Sequence, residues 1–488
     1  MTTAPTSGPR PHVQDDPHTP DSHEVDVVVL GVGSGGERLA HRLREGGLEV
    51  AVVESGLVGG ECPFHGCTPS KLLIRSADVL AEARRVEGLA GSVRLEPSLA
   101  PAAARIREAN HDWDDEAHAG PLVEAGALLV RGHGRLDGPG RVQVATEAGT
   151  VLLVARRGVV LDTGTDPAVP PVEGLAGTPF WTNREAAALT EAPRSLAVLG
   201  GGPIGTELAQ ALARFGTRVT LVEDGERLLG PEEPEAAALV TDVLREEGVD
   251  VRTSTTLARV AHAHGRFDLT LEGPAGAEDL EVERLLVATG RAPRLRRIGL
   301  ATVGLDPDAD VVDTDERCRA GERLWAIGDV TGKGAFTSVA LYQADVVARD
   351  LLDTGTDREE TGPEAWADYR AVARVTFTDP EVGAVGLTEA QAREHGLDVA
   401  VGLADVGRAP RGWMHGARGL VKVVADRRAG VLVGATTVAP YGGEVIGLLS
   451  TAVHARVPVR TLRRMHLAYP TFHGTIGVAL DKLAEQGV

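Results

Sequence analysis

The sequence is poor in cysteine and lacks long apolar runs. Three cysteines are too few for a disulfide-stapled secreted domain, and no apolar segment near residue 1 is typical of a signal peptide. Apolar residues make up 43% of the chain but never form the run of about 20 that spans a bilayer. We therefore expect a cytoplasmic protein without a transmembrane helix.

Positive charge is scarce as well. The chain carries 50 Lys and Arg against 70 Asp and Glu, a formal net charge of −20 at pH 7. Nucleic acid and anionic membranes are recognised through positive surfaces, so both are excluded as partners. A small-molecule substrate or another protein remains as a candidate partner.

At 488 residues the chain exceeds one hydrophobic core, and its length is typical of about three domains. The predicted fold class is α/β, with two Rossmann-like dinucleotide-binding domains and a C-terminal α+β domain. Residues 1–23, rich in Pro, Thr, Asp and His, are predicted to be a flexible tail. The other predicted segments are 24–165 for the first nucleotide domain, 166–290 for the second, 291–361 for a return to the first, and 362–488 for the C-terminal domain.

Two glycine-rich turns, GVGSGG at residues 31–36 and GGGPIG at residues 200–205, each follow an apolar strand and precede a helix. Such a turn suits a pyrophosphate because its backbone N–H groups and the helix dipole favour negative charge. Glu54 and Glu223 stand at the same offset from each turn and can accept hydrogen bonds from ribose hydroxyls. Because Glu223 would repel a 2′-phosphate, we expect NADH rather than NADPH. The glycines assigned to the two sites are Gly31, Gly33, Gly36, Gly200, Gly202 and Gly205.

Two cysteines, Cys62 and Cys67, lie between these turns, where residues 59–71 (GGECPFHGCTPSK) lead into a predicted helix. In a reducing compartment, such a pair is more typical of catalysis than of a structural disulfide. A metal site would need further ligands nearby, so none is predicted. Helix N-termini and cations lower the pKa of a thiol, and Lys71 lies one helical turn after Cys67. Cys67 is therefore predicted to be a reactive thiolate.

This segment resembles the redox-active Cys-x4-Cys of the flavoprotein pyridine nucleotide-disulfide oxidoreductases, the family of lipoamide dehydrogenase, glutathione reductase and mercuric reductase. Residues 285–291, 326–330 and 375–381 resemble, in the family's order, its Ala-Thr-Gly-Arg turn, its second FAD motif and the start of its interface domain. The resemblance extends from about residue 25 to residue 483. It implies FAD in the first site, a nicotinamide cofactor in the second, and a homodimer that shares its active site across the interface.

The resemblance also implies roles for single residues. Cys67 faces the flavin and Cys62 faces the substrate, while Lys71 pairs with Glu207 near the flavin and the nicotinamide. Asp329 binds the ribityl chain, and a helix that starts near residue 338 directs its N–H groups at the flavin. The remaining implied cofactor contacts are Gly60, Thr163, Gly164, Gly290, Arg291 and Thr337.

The sequence departs from the family near its end. Disulfide reductases carry His-Pro-Thr-x-x-Glu there, whereas residues 469–474 read YPTFHG, so both members of that acid–base dyad are replaced. We expect Tyr469 to donate a proton or to orient substrate across the dimer interface. His473, His65 and His466 are candidate replacements for the missing histidine. The final residues, EQGV, lack the cysteine pair of mercuric reductase, which disfavours mercury as the acceptor.

Three functions fit these features. The first is transfer of electrons between NAD(P)H and a thiol or disulfide substrate through Cys62 and Cys67, in a dihydrolipoamide dehydrogenase-like enzyme. The second is direct reduction of a quinone or similar acceptor by the flavin, and the third is an FAD-holding subunit of a larger complex. No short motif identifies the substrate or the direction of electron flow, because the family recognises substrates through scattered side chains.

Overall fold

The computed structural model describes residues 21–352 and 366–488, in which strands and helices alternate through most of the chain. The strands are β1 (Asp21–Leu30), β2 (Val50–Glu54), β3 (Leu128–Arg131), β4 (His133–Leu136), β5 (Arg141–Thr146), β6 (Gly149–Leu161), β7 (Thr165–Pro167), β8 (Ser195–Leu199), β9 (Arg218–Val222), β10 (Asp250–Arg252), β11 (Thr256–Ala263), β12 (Arg266–Gly273), β13 (Gly276–Val282), β14 (Arg284–Val287), β15 (Arg291–Pro293), β16 (Arg319–Gly321), β17 (Leu324–Ala326), β18 (Ala373–Thr376), β19 (Glu381–Gly386), β20 (Val399–Asp405), β21 (Leu420–Asp426) and β22 (Val431–Ala439). The α-helices are α1 (Ser34–Glu45), α2 (Glu61–Phe64), α3 (Cys67–Arg84), α4 (Ala100–Ala109), α5 (Glu116–Glu124), α6 (Asn183–Ala187), α7 (Pro203–Arg214), α8 (Pro234–Glu246), α9 (Thr337–Leu352), α10 (Glu389–Glu394), α11 (Pro410–His415), α12 (Gly442–His454), α13 (Val459–Leu462) and α14 (His473–Ala484).

The first sheet has a parallel centre, with the strand order β16-β17-β6-β1-β2-β3. Every residue of β2 is buried, because apolar side chains pack against both faces of the sheet. α1 follows β1 directly and packs on one face together with α9, which returns from far along the chain. Residues 319–352 therefore complete the sheet layer that residues 21–161 begin.

β1 begins at Asp21, four residues before the apolar run that predicted it. Residues 21–25 pair with residues 151–155 of β6 and continue the parallel ladder. Residues 21–23 of the predicted tail are therefore strand, because β6 is long enough to offer them backbone partners. Residues 1–20 of that prediction, and the predicted boundary between residues 361 and 362, lie outside the described residues.

The second parallel sheet has the strand order β10-β9-β8-β14. All of β8 is buried, since α7 and α8 cover one face and the antiparallel strands β11, β12 and β13 cover the other. β7 and β15 pair with each other where the chain enters and leaves this unit. Each parallel sheet thus places a glycine-rich turn after a central strand, where open α/β sheets bind their ligands.

The C-terminal sheet is antiparallel, with the order β18-β19-β22-β21-β20, and α12 and α14 pack against it. Helices gathered on an antiparallel sheet are the α+β arrangement. The predicted fold class, two Rossmann-like units and a C-terminal α+β domain, is therefore confirmed. Within the two described ranges, no helix is both long and apolar enough to cross a membrane.

Candidate functional site

A cavity of about 2080 Å³ lies where the two parallel sheets and the C-terminal sheet meet. Its volume exceeds the roughly 300–1,000 Å³ of a pocket for one drug-sized ligand, so it has room for two dinucleotides. His65 lies on its wall. The other predicted residues that line it are Gly31, Gly33, Glu54, Gly60, Cys62, Cys67, Lys71, Thr163, Gly164, Gly200, Gly202, Glu207, Glu223, Gly290, Arg291, Asp329 and Thr337.

Tyr469, His473 and His466 do not line this cavity. Tyr469 is 81% exposed, and His473 begins α14 in the C-terminal domain. The structure therefore does not bring them to the cysteines within one chain. An active-site role for Tyr469 requires a second copy of the chain.

The two cysteines are free thiols in unlike surroundings, with Cys62 in α2 and Cys67 at the first position of α3. A hydrogen bond from Cys62 lowers the pKa of Cys67 to about 6, with smaller contributions from Thr337 and Lys71. The same hydrogen bond, together with burial, raises the pKa of Cys62 above its usual range. At neutral pH, Cys67 is therefore the thiolate and Cys62 the thiol. The sequence predicted that Lys71 and the helix N-terminus would lower the pKa of Cys67. In the structure, the largest contribution to the lowered pKa comes from the hydrogen bond with Cys62.

Two helix N-termini converge on the Cys67 sulfur. Cys67 is the first residue of α3, and its Sγ lies 3.6 Å from Oγ1 of Thr337, the first residue of α9. The positive ends of helices stabilise negative charge. This arrangement favours a thiolate at Cys67 beside the part of the cavity that α9 faces.

Lys71 and Glu207 form an ion pair between α3 and α7. Lys71 Nζ donates to Glu207 Oε2 at 2.7 Å, and the Glu207 side chain is buried. The other carboxylate oxygen accepts the backbone N–H of Phe377 at 2.8 Å, while the ammonium lies 4.6 Å from the centre of the Phe377 ring. Phe377 was not assigned to the site from the sequence, although residues 375–381 matched a family motif.

A polar network that the sequence did not predict holds the cysteine loop, residues 59–67, which carries Cys62 and Cys67. Arg291 donates to Glu61 Oε1 at 3.1 Å and to Thr165 Oγ1 at 2.9 Å. Thr165 in turn donates to Asp329 Oδ2 at 2.6 Å. Because Glu61 directly precedes Cys62, this chain of contacts connects the cysteine loop to the second predicted FAD motif.

The two glycine-rich turns are built alike. The Glu54 carboxylate accepts the N–H of Val32 at 2.8 Å, and the Glu223 carboxylate accepts that of Gly201 at 2.5 Å. Each acid therefore lies against the turn of its own sheet, beside the cavity. Glu223 is followed by a second acid, Asp224, which also lines the cavity.

Comparison with known proteins identifies the family. Residues 25–344 match the pyridine nucleotide-disulphide oxidoreductase family, and residues 372–480 match its dimerisation domain. The chain belongs to this family. Members use FAD and a pyridine nucleotide, so the enzyme is a flavoprotein oxidoreductase.

Three relatives illustrate the breadth of the family. The chain is 34% identical to mercuric reductase from Streptomyces lividans, over 93% of this chain and 95% of that protein. It is 31% identical to dihydrolipoyl dehydrogenase from Thermus scotoductus, over 95% and 98% of the two chains. A solved structure of the flavoprotein disulfide reductase RclA from Escherichia coli, in a Cu(II) complex, matches with a TM-score of 0.80 and 26% identity, covering 96% of this chain and 100% of RclA.

The residues at the first glycine-rich turn fit FAD. Gly31 has φ +93°, and a Cβ there would lie 2.2 Å from Asp162 O, so only glycine lets the turn pack against the end of β6. Thr163 Oγ1 is buried without a hydrogen-bond partner on the cavity wall, and a cofactor can supply that partner. Among residues 21–352 and 366–488, no group of three or more His, Cys, Asp or Glu could hold a metal ion.

Proposed function

We propose that the enzyme passes electrons from NADH through FAD to the Cys62–Cys67 pair and then to a small disulfide substrate. The observation that carries this proposal is the unequal pKa of the two thiols where α3 and α9 converge. A family whose members include a dihydrolipoyl dehydrogenase and a disulfide reductase supports a disulfide-type substrate.

The cysteines divide the chemistry between them. When bound, FAD would supply the cysteine pair with two electrons that originate in the nicotinamide. The Cys62–Cys67 bond then breaks, Cys67 keeps the negative charge, and Cys62 takes up a proton. Lys71 and Thr337 hold the charge on Cys67, as their effect on its pKa indicates.

Thiol–disulfide exchange then reduces the substrate. Cys62 passes its proton along their hydrogen bond to Cys67 and attacks one sulfur of the substrate as a thiolate. This step forms a mixed disulfide and releases a first thiolate, which takes the proton from Cys67. Cys67 attacks Cys62, which restores the enzyme's disulfide and releases a second thiolate that takes a proton from water or from Tyr469 of a second subunit. In sum, NADH, one proton and a disulfide give NAD⁺ and two thiols.

Acidic residues at the second turn favour NADH. Glu223 and Asp224 both line the cavity at the end of β9, and the Glu223 carboxylate lies on the turn itself. A 2′-phosphate at this position would meet two carboxylates, whose negative charges would repel it. We therefore propose NADH as the electron donor.

The proposal is tested by turnover of NADH with small disulfides, quinones and Hg(II) or Cu(II) ions, in wild type and in Cys62→Ser. We expect disulfide turnover that falls at least about 10²-fold in the variant. Cys318→Ser is the matched control, because Cys318 is buried outside the cavity and burial raises its pKa to about 12.

Other outcomes point to other functions. Disulfide turnover that survives in Cys62→Ser contradicts the proposal. Turnover of quinones alone identifies direct reduction by the flavin, and turnover of metal ions alone identifies a metal-ion reductase. Failure of NADH to bleach the flavin without oxygen identifies an FAD-holding subunit.

A further inference from the structure

Asp162 is a buried acid on the cavity wall that belongs to none of the motifs above. It is the first residue after β6, it is 7% exposed, and it lines the cavity. Its backbone N–H donates to Leu30 O at 2.8 Å, which holds it beside the end of β1. The carboxyl group therefore lies directly beside the first glycine-rich turn.

The Asp162 carboxyl group meets the N-terminus of α1, the position that dinucleotide-binding folds offer to a pyrophosphate. Its Oδ2 accepts the N–H of Gly33 at 3.1 Å and of Gly36 at 2.7 Å. No side chain from α1 or its N-cap residue caps this helix end. An ionised Asp162 and a bound pyrophosphate would therefore share one helix terminus, and their negative charges would repel.

The charged groups that face Asp162 are acidic as well. Burial raises its pKa well above that of an ordinary carboxyl group, and the charges of Asp329 and Glu54 raise it further, against the effect of the two backbone N–H groups. Glu54 ends β2, and Asp329 lies in the turn after β17. α1 contributes only backbone N–H groups, and α9 contributes Ala340 beside this turn.

We propose that Asp162 couples FAD binding to the uptake of one proton, so that FAD is held while Asp162 is a neutral carboxylic acid and is weakened when it ionises. In the neutral acid, Oδ2 still accepts the two N–H groups, while a proton on Oδ1 becomes a donor. Oδ1 faces Gly328, where an added Cβ would lie 2.8 Å from it. The coupling rests on the family's use of FAD and is independent of the thiol chemistry proposed above, so each can fail alone.

The coupling is tested by measuring the dissociation constant of FAD from about pH 6 to about pH 9, using the fluorescence of flavin released when the holoenzyme is diluted. In wild type the constant should rise about tenfold per pH unit between the pKa of Asp162 without FAD and its pKa with FAD. Asp162→Asn mimics the neutral acid and should give a constant that changes less than about twofold. Asp268→Asn, an exposed carboxyl on β12, should keep the wild-type slope.

A wild-type constant that does not change with pH would overturn the coupling, as would a wild-type slope in Asp162→Asn. Asp162→Ala, which also cannot titrate, should give the same flat profile. If both variants fold, as judged by circular dichroism, but retain no FAD at any pH, the carboxyl group only supports the turn and the coupling is wrong. If both variants fail to fold, the pH dependence of the FAD dissociation constant in wild type alone tests the coupling.

Discussion

Cys62 and Cys67 are chemically identical side chains in different backbone positions. Cys67 stands at the N-terminus of α3 and faces Thr337 at the N-terminus of α9, whereas Cys62 lies in the short helix α2. Lys71, one turn along α3, adds a positive charge near Cys67. The hydrogen bond from Cys62, together with Thr337 and Lys71, therefore determines that Cys67 carries the negative charge.

The Cys67 thiolate should titrate near pH 6, the value to which its pKa is lowered. Because the thiolate exists above that pKa and is lost below it, the thiolate–flavin charge-transfer absorbance of the two-electron-reduced enzyme should rise with pH through a midpoint near 6. Lys71→Met should move the midpoint upward, and Lys482→Met, at an exposed ion pair, should not. A wild-type midpoint near the ordinary thiol value of about 8.5 would contradict this account.

At the scale of elements, α1 and α7 approach the preceding turns because a side chain is absent. A Cβ at Gly36 would lie 2.5 Å from Gly31 O, and one at Gly205 would lie 1.9 Å from Gly200 O. Both clashes are with backbone atoms, which cannot rotate away. These two glycines therefore set the position of the helix, and neither of these predicted cofactor contacts lines the cavity.

Alanine at Gly36 should impair only the FAD site, and alanine at Gly205 should impair only the NADH site. Gly36→Ala should yield protein with less than about half the FAD content of wild type, measured by the ratio of flavin to protein absorbance. Gly205→Ala should keep its flavin and raise the KM for NADH at least about tenfold. Gly321→Ala is the control, because a Cβ added at Gly321 would have no neighbouring atom within 4 Å. Wild-type values for both variants would show that the helices can shift at no cost.

Features that depend on residues close together in the sequence could be predicted, whereas features that depend on contacts between distant segments could not. The glycine-rich turns and the helix that starts at Cys67 depend on residues close in sequence, and apolar runs identify their strands. The start of β1 depends instead on pairing with β6, which no local pattern encodes. The Arg291–Glu61 and Glu207–Phe377 contacts join segments far apart along the chain, so only the folded structure reveals them.

At the scale of the whole molecule, a buried lysine ties the C-terminal sheet to the second nucleotide unit. Lys422 on β21 is 2% exposed and donates to Glu233 at 2.9 Å, just before α8. It also forms an ion pair with Glu389 of α10 at 3.0 Å. A buried ion pair of this kind fixes the relative position of the two units that flank the cavity.

Loss of this lysine should destabilise the enzyme strongly. Lys422→Met leaves the buried Glu233 without its cation, which costs about 3–5 kcal/mol of unfolding free energy. Urea denaturation followed by circular dichroism measures that cost. The exposed pair of Lys482 and Glu485 offers the comparison, since Lys482→Met should cost less than about 1 kcal/mol. Equal stabilities for the two variants would show that Lys422 contributes no interdomain anchor.

We propose that a dimer completes the active site. Tyr469 and Trp413 are exposed on the domain that matches the family's dimerisation domain, as expected for a surface that a second copy covers.

The chain should sediment as a dimer, and Tyr469→Phe should lower disulfide turnover roughly 10²-fold without slowing flavin reduction by NADH. Tyr441→Phe, another exposed tyrosine of this domain, should leave turnover unchanged. Unchanged turnover in Tyr469→Phe would remove its proposed role.

Anaerobic titration with NADH of the Cys62→Ser and Cys67→Ser variants tests most directly whether Cys67 carries electrons between the flavin and Cys62. Cys62→Ser retains the Cys67 thiolate, so its spectrum should contain the long-wavelength charge-transfer band. Cys67→Ser lacks the thiolate next to the flavin, so NADH should bleach the flavin without that band. A Cys67→Ser protein whose NADH-reduced spectrum matches that of wild type would contradict the account.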